Sequence, residues 1–488
     1  MFTSIHTASC DNQTQKVMGC KGGKPLPAGG IFNLFSLLPA KPSAMTARDP
    51  RPQSDVSAGV GLAGLLGLLA WMMVCRLWPG IGPALGVAGP RMVLDGPSAA
   101  LVAVLAAALP MAAWSLLVDK VHRRASTGID WAHPRPLAEV LDVSVTKLAG
   151  LWLTWALIAG VYCLCRWYWS GQYLFAMRVL GWSAPVMVLG SIVYVPWLDR
   201  VLVEPRDGAW HFGAMLMGRE AYDAEQVKHH WRAWAVKGFY CAFMFSALPG
   251  NWGQVIRADW HGLLTDPIAF AGVSVGVMFM IDVQIAMVGY ILTMKPLDAH
   301  IRTANPLLAG WLAALICYPP FQQMEAGRPL FYQQNTASWG YWLAGHPGML
   351  WGWAWALVVL TGIYAWATVA FGLRFSNLTH RGVLTGGPYA WSRHPAYLAK
   401  NLFWWLETLP FLVTSHSLVE AIRNSFFLGC VSAIYFWRAK TEEAHLLAVD
   451  AKYREYHAWM ARNGPVTRLF ERLRPVQRAP AALLHPAE

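Results

Sequence analysis

The sequence predicts an all-α polytopic membrane protein with about ten transmembrane helices, cytoplasmic N- and C-termini and a C-terminal amphipathic helix. The first observation is composition: 56% of the 488 residues are hydrophobic, 14% are charged, and the mean hydropathy is +0.34. A soluble chain of this length carries more charge. The other two observations are a series of long apolar segments and a regular alternation of basic and charge-poor loops.

Ten apolar segments are candidates for membrane spans, because crossing the hydrocarbon core takes about 20 helical residues. They are 57–78, 97–118, 148–169, 175–197, 233–249, 268–293, 307–320, 349–372, 396–414 and 421–437. The seventh, ninth and tenth are short or interrupted by Pro319, Pro395 and Pro410. Such segments tilt, kink or re-enter, which is tolerated where protein or a water-filled cavity covers the backbone.

The loops between these segments differ in charge. Those at 119–147, 198–232, 294–306 and 373–395 are basic, whereas those at 170–174, 250–267 and 321–348 contain almost no Lys or Arg. The alternation places the basic loops and both termini in the cytoplasm. The net charge of +12 then reflects topology and attraction to anionic headgroups. No basic run is interleaved with base-stacking aromatics, so no nucleic-acid partner is expected.

A polar stretch, TGGPYAWSRHPAYLAKN, lies between two apolar segments at 385–401. Gly386, Gly387 and Pro388 predict a loop, since glycine permits unusual backbone angles and proline ends a helical hydrogen-bond ladder. Pro395 predicts the first turn of a new helix. The N-terminus of that helix, next to His394, is a candidate site for a carboxylate or phosphate.

A second polar stretch, RAKTEEAHLLAVDAKYREYHAWM, follows the last span at 438–460 and predicts an amphipathic helix. Its stripe comprises Arg438, Glu442, Leu446, Val449, Tyr453, Tyr456 and Met460. Glu442 therefore faces the packed side, where a carboxylate needs a partner, and Glu443 is the more peripheral. An ordinary surface pair between Arg438 and Glu442, a stripe lying in the membrane interface, and a structural role for His394 remain open.

The segments GPYAWSRHPAY, TEEAHL and YREY together resemble the C-terminal half of the isoprenylcysteine carboxyl methyltransferases and related phospholipid methyltransferases, over about Leu373 to Pro465. The resemblance implies transfer of a methyl group from S-adenosylmethionine to a lipid or lipid-attached carboxylate or headgroup, with the cofactor on the cytoplasmic face. Arg438, or alternatively Lys440, would serve the acceptor. The implied cofactor contacts are Arg381, Gly382, Val383, Leu384, Gly387, Tyr389, Arg393, His394, Pro395, Ala396, Tyr397, Glu442 and Glu443.

Two departures from the family pattern leave the acceptor open. Ala399 and Lys400 stand where a glycine is usual, and Val449 and Asp450 replace a Phe-Gly pair.

We predict four regions along the chain: a flexible N-terminal tail over 1–55, a transmembrane bundle of unassigned role over 56–345, a methyltransferase-like domain over 346–470, and a disordered tail over 471–488. The eight cysteines form no CxxC pair and lie mostly within apolar segments, so we expect small buried apolar residues rather than a metal site or a disulfide framework. No obligate protein partner is evident from the sequence.

Two other classes of function compete with methyl transfer. An NADPH-dependent enzyme resembling the sterol reductases would have a similar C-terminal architecture, and the MGRE segment at 217–220 is faintly similar to a motif of that family. A non-enzymatic lipid carrier or scaffold would explain Asp282, Gln284 and Glu407 within apolar segments. Hydrogen bonds between helices are the ordinary explanation for such residues.

Overall fold

Helices account for most of the chain in the computed structural model, which describes residues 51–89, 93–218 and 222–473. The α-helices in this range are α1 (Ala58–Ile81), α2 (Pro97–Ala113), α3 (Leu137–Leu164), α4 (Tyr173–Asp199), α5 (Gly208–Met217), α6 (Ala224–Arg257), α7 (Pro267–Ile291), α8 (Leu308–Leu315), α9 (Trp339–Trp342), α10 (Pro347–Phe371), α11 (Pro395–Thr408), α12 (Leu412–Ser415), α13 (Leu418–Val449), α14 (Ala451–Asn463) and α15 (Pro465–Leu473). Two short antiparallel strands, β1 (Thr303–Ala304) and β2 (Thr379–His380), are the exception.

Seven helices of the described part are long and apolar enough to cross a membrane: α1, α2, α3, α4, α7, α10 and α13. This confirms the prediction of an all-α membrane protein. The remaining predicted segments take other forms. The segment at 233–249 lies inside the 34-residue α6, whereas those at 307–320 and 396–414 contain helices of only 8 and 14 residues, α8 and α11.

The stretch from Asn305 to Asn335, which contains the seventh predicted segment, lies alongside α13 and is largely irregular. The Asn305 side chain donates to the carbonyl of Thr441 near one end of α13, at 3.4 Å, and Asn335 donates to Glu420 near the other end, at 2.6 Å. Between them, Tyr332 is buried against α13. The chain from Asn305 to Asn335 therefore runs alongside α13 with one short helix, and part of it, including residues 325–329, is exposed.

The basic loops lie together at one end of the helix bundle. Contacts join one loop to the next: Ile129 bridges to Leu202, Ser126 Oγ donates to Asp298 Oδ2 at 2.8 Å, and Arg302 N donates to His380 O at 2.9 Å. The charge-poor loop at 321–348 lies at the opposite end of α13, where Ala337 N donates to Thr414 O at 3.1 Å. The four basic loops thus share one end of the bundle, and the charge-poor loop at 321–348 lies at the other.

Buried polar residues join helices across the predicted boundary at 345/346. Asp282 of α7 accepts hydrogen bonds from Tyr364 (2.5 Å) and Thr368 of α10. Gln284 of α7 donates to the carbonyl of Ala100 in α2 at 3.4 Å. Asp282 and Gln284 thus make the interhelical hydrogen bonds that are the ordinary explanation for polar residues in apolar helices. Residues 56–345 and 346–470 pack as one unit, because α7 lies against α10.

Three local predictions need correction. The amphipathic helix at 438–460 is two helices, because Asp450 leaves helical geometry and its carboxylate caps α14 through Tyr453 N, at 3.1 Å. Val449, assigned to the packed stripe, is 45% exposed as a result. Among the described cysteines only Cys75 is buried, and Cys163 is exposed. Residues 1–50, 90–92, 219–221 and 474–488 lie outside the described residues, and with them most of both predicted tails and half of the MGRE segment.

Candidate functional site

A cavity lies at the basic end of the bundle, between the loop that follows α10, the start of α11, and α13 with α14. Most of the predicted site residues line it: Arg381, Gly382, Val383, Leu384, Tyr389, Arg393, His394, Ala396, Tyr397, Arg438 and Glu442. Four other predicted residues lie beside the cavity and are not part of its lining: Gly387, Pro395, Lys440 and Glu443. The two polar stretches of the sequence are therefore brought together in space.

The loop wall is held by buried charge. Gly382 has φ +121°, and a Cβ there would overlap the guanidinium of Arg374. Arg374 pairs with Asp298 at 2.6 Å. Arg381 is buried and donates to the backbone carbonyls of Gly289 (2.8 Å), Ala299 and Phe375 (2.7 Å). The guanidinium of Arg381 thus fixes the loop against neighbouring segments, with its hydrogen bonds already made to protein.

The start of α11 has the predicted form. Pro395 is the first helical residue, His394 precedes it with a non-helical ψ of 59°, and no side chain caps the helix. The N–H groups of the first turn are therefore open, beside Arg393 and His394 in the cavity wall. This end of a 14-residue helix carries the positive end of the helix dipole and suits an anion.

The two glutamates have different partners. Glu443 is 5% exposed and forms an ion-pair cluster with Arg393 (2.7 Å), His394 (3.1 Å) and Lys440 (2.8 Å). Glu442 lines the cavity and accepts a hydrogen bond from the Tyr397 hydroxyl at 2.5 Å. Glu442 therefore faces the cavity as predicted. The prediction that Glu443 is the more peripheral of the two is wrong, because its partners at the start of α11 and on α13 bury it more deeply than Glu442.

Arg438 is 2% exposed, on the same face of α13 as Glu442, one turn before it. Its Nη2 donates a hydrogen bond to Asn377 Oδ1 at 3.1 Å, and its Nε is buried without a hydrogen-bond partner. The rings of Tyr397, Tyr435 and Tyr318 surround it at 5.1, 5.4 and 5.8 Å. The buried guanidinium therefore retains donor capacity within a cavity. Lys440, the alternative for this role, is engaged with Glu443.

A segment at the N-terminal edge of the described chain completes the loop wall. Asp55 Oδ2 accepts from Val383 N at 2.8 Å, and Asp55 N donates to Val383 O at 2.9 Å. The Thr385 hydroxyl donates to the carbonyl of Pro52 at 2.7 Å, and Lys452 of α14 pairs with Asp55. Residues 52–55 therefore pack on the site, although they belong to the predicted tail. The sequence signal was one acidic residue in a stretch rich in Pro and Ser, which indicates no particular partner.

Asp450 links α14 to the loop. Its carboxylate lies 2.7 Å from His380 Nε2, and this hydrogen bond lowers the pKa of Asp450 to about 2. The Tyr456 hydroxyl donates to the carbonyl of Tyr389 at 2.7 Å, and Tyr453 packs with Val383. The Val449-Asp450 departure from the family pattern therefore has a local function, because the aspartate caps a helix and holds the loop.

The deep end of the cavity contains residues that were not among the predicted site residues. Tyr318, Tyr364, Tyr435 and Lys400 line it below Tyr397. They come from four separate parts of the chain, so no local motif marks them; only Lys400 stood out, as a lysine in the helix that follows the RHPAY segment.

Comparison of the chain with protein-family models, with curated proteins and with solved structures found no match. The resemblance to the membrane methyltransferases therefore depends on the sequence at 373–465 alone.

Proposed function

We propose that the protein is an integral membrane methyltransferase that uses S-adenosylmethionine and acts on a lipid or a lipid-attached group. The observation that carries the proposal is the convergence of the uncapped start of α11, Glu442 and Arg438 on one cavity. Sequence positions about 45 residues apart thereby supply an anion site, a carboxylate and a buried cation.

These residues fit the cofactor group by group. The open N–H groups at the start of α11 suit its carboxylate, and Glu442 suits its amine or ribose hydroxyls. The ring of Tyr389, in the cavity wall, suits its adenine. When bound, the cofactor supplies a methyl group on a positively charged sulfur. Arg393, His394, Lys440 and Glu443 support this pocket from behind, through the ion-pair cluster at the start of α11.

The protein's contribution to the chemistry is orientation and exclusion of water. If the acceptor is a carboxylate, an oxygen lone pair forms the new C–O bond while the S–CH₃ bond breaks and its electron pair stays on sulfur, so no proton has to be removed. Arg438 holds the acceptor oxygens, with Lys440 as the alternative. Alignment of two reactants in this way accounts for roughly 7–11 kcal/mol in intramolecular models.

The proposal includes a topology of ten crossings with both termini and the cavity in the cytoplasm. The contacts among the basic loops at one end of the bundle support it, because the positive-inside rule assigns Lys- and Arg-rich loops to that side. The short α8 and α11 then complete crossings alongside α13. A lipid acceptor reaches the cavity from the membrane, while the donor enters from the cytosol.

The deciding experiment measures binding of S-adenosylmethionine and, separately, of NADPH to the purified full-length protein by calorimetry. We expect binding of S-adenosylmethionine and none of NADPH. Tight NADPH binding alone would favour a reductase, and binding of neither would favour a carrier. Lipid extracts from cells with and without the gene, grown on isotope-labelled methionine, would then identify the methylated acceptor.

A further inference from the structure

Lys400 extends into the deep end of the cavity from α11. Its ammonium lies 5.1 Å from the ring centre of Tyr364, 5.3 Å from that of Trp404 and 5.8 Å from that of Tyr435. Aromatic rings offset only part of the cost of removing a lysine ammonium from water, because a cation–π contact contributes less than a hydrogen bond to a carboxylate.

The nearest acid on α7 is already engaged. Both oxygens of Asp282 accept hydroxyl hydrogen bonds, one from Tyr364 and one from Thr368. Glu442, the acid in the cavity lining, accepts from Tyr397. Among the described residues, no ion pair joins Lys400 or Arg438 to a carboxylate. Of the other cations of the wall, Arg374 and Arg393 have such pairs, and Arg381 donates to backbone carbonyls.

Lys400 and Arg438 share a neighbour. The Arg438 guanidinium carbon lies 5.4 Å from the Tyr435 ring centre, and the Lys400 ammonium lies 5.8 Å from it. Arg438 also has a buried Nε without a partner. Arg438 is buried and Lys400 is half-buried, and neither is hydrogen-bonded to a carboxylate among the described residues. Two such cations next to one ring are costly to keep in a low-dielectric interior unless an anion binds between them.

We infer that Lys400 and Arg438 together form a subsite for the oxyanion of a lipid, a carboxylate or a phosphate whose apolar chain remains in the membrane. The inference deepens the proposed function, since this lipid would be the methyl acceptor or carry it. Lys400 is then the residue that selects anionic lipids. Binding of the lipid alone requires no donor, so the two proposals can fail separately.

The test uses full-length protein in an uncharged detergent and three radiolabelled lipids without cofactor: palmitate, phosphatidic acid and phosphatidylcholine. We expect one or both of the anionic lipids to bind, and phosphatidylcholine to bind at least tenfold more weakly. Comparison of palmitate with phosphatidic acid distinguishes the carboxylate source from the phosphate source. Equal binding of all three lipids would overturn the inference.

Substitution of Lys400 tests whether this lysine is responsible for the preference for anionic lipids. Lys400→Met should weaken binding of the anionic lipid at least tenfold, Lys400→Arg should restore most of it, and affinity for S-adenosylmethionine should not change in either. Lys228→Met, which removes an exposed lysine paired with Glu225, is the matched control and should leave lipid binding unchanged. If Lys400→Met binds the anionic lipid as the wild type does, Lys400 has no part in the subsite.

A second measurement leaves Lys400 intact, in case its substitution prevents folding. A palmitate brominated near its carboxyl end should quench the fluorescence of Trp404, which lies next to the Lys400 ammonium. The Trp404 signal is the difference between wild type and Trp404→Phe. If palmitate binds in the first test, quenching by the brominated acid that unlabelled palmitate reverses supports the subsite, and an absence of quenching at saturating lipid contradicts it. If only phosphatidic acid binds, its brominated form replaces palmitate in the same measurement. If the protein binds the lipid but not S-adenosylmethionine, the proposed methyl transfer is wrong and the lipid subsite stands.

Discussion

Neighbouring glutamates on α13 differ because each has a different set of donors. Glu443 accepts from Arg393, Lys440 and the ring of His394, whereas Glu442 accepts from the Tyr397 hydroxyl and faces the cavity. Removal of one partner from a buried ion pair costs about 3–5 kcal/mol, because the opposite charges remain buried. The charge of Glu442 is instead free to meet a ligand.

We therefore predict that Glu442→Gln lowers affinity for S-adenosylmethionine about tenfold or more, with little change in thermal stability, because a hydrogen bond to a charged group contributes about 1.5–3 kcal/mol. Glu443→Gln should lower the melting temperature by several degrees. Calorimetry and thermal unfolding of the two variants in parallel provide the comparison. The reverse pattern, with affinity lost only in Glu443→Gln, would mean that Glu443 is the cofactor ligand.

Arg438 differs from Arg374 and Arg393 in forming no ion pair with a carboxylate among the described residues, and its Nε is buried without a hydrogen-bond partner. We predict that Arg438→Ala abolishes methyl transfer while affinity for S-adenosylmethionine remains within about threefold of wild type, because each hydrogen bond to an anionic acceptor contributes about 1.5–3 kcal/mol. Calorimetry and a labelled-methyl assay measure the two effects. Loss of donor binding together with activity would assign Arg438 to the cofactor and return the acceptor role to Lys440 or to the N-terminal helices.

At the scale of elements, the segment at 52–55 is bound to a loop more than 300 residues away in sequence. We predict that a chain beginning at Met45 keeps its affinity for S-adenosylmethionine, whereas a chain beginning at Val56 loses most of it. The shorter chain lacks the carboxylate that holds Val383 and pairs with Lys452. Calorimetry of both truncations is the measurement.

Asp55→Asn in the full chain is the control for this truncation, since it keeps the length and removes the charge. We expect its affinity to lie between those of the two truncations. Full affinity in the chain beginning at Val56 would show that the loop holds its shape without the N-terminal segment.

Local chemistry made the start of α11 predictable, because proline at the first helical position after a histidine is a strong signal. The end of α13 was not predictable in the same way. Asp450 interrupts a continuous 3.6-residue pattern only because it caps α14 and meets His380, a partner 70 residues away. Periodicity reports one helix face at a time, so it identified Glu442 and could not reveal a break caused by a distant partner.

The deep end of the cavity was even less predictable from the sequence than the end of α13. Tyr318, Tyr364, Lys400 and Tyr435 are brought together by the packing of helices and of the irregular chain beside α13. Each is an ordinary residue in its own segment. A site assembled from four separate segments needs tertiary structure to be recognised, whereas the motif residues at its mouth are local in sequence.

For the whole molecule, the pH dependence of stability follows from half-buried histidines outside the membrane-spanning helices. The pKa of His457 is lowered to about 4, mainly by burial and secondly by the charge of Arg393. The pKa of His300 is also lowered to about 4, mainly by burial and secondly by the charge of Lys295. An unfolded histidine has a pKa of about 6.5. Between pH 6.5 and 4 the unfolded chain therefore binds protons that the folded chain does not, and the free energy of unfolding decreases as pH falls.

We predict that the melting temperature in detergent is constant from pH 8 to 7 and falls progressively from pH 6.5 to 4.5. Asp450 makes no contribution in this range, because its depressed pKa means that its stabilisation is lost only as pH falls from about 4 toward about 2. His457→Gln should show a smaller decrease than the wild type. A melting temperature that does not change down to pH 4.5 would contradict the assignment of these histidines as neutral in the folded protein.

The orientation of the bundle gives the last prediction. The basic loops contact one another at the end that holds the cavity, and the loop at 321–348 lies at the other end. In a background with the exposed Cys163 replaced by serine, Ser338→Cys should react with an impermeant thiol reagent in intact cells. Ala125→Cys, in the basic loop at 119–147, should react only after permeabilisation. Both positions are exposed, so reactivity reports the side of the membrane. The opposite pattern would place the cavity on the outer face, where a cytosolic methyl donor has no access, and would contradict the proposed function together with the topology.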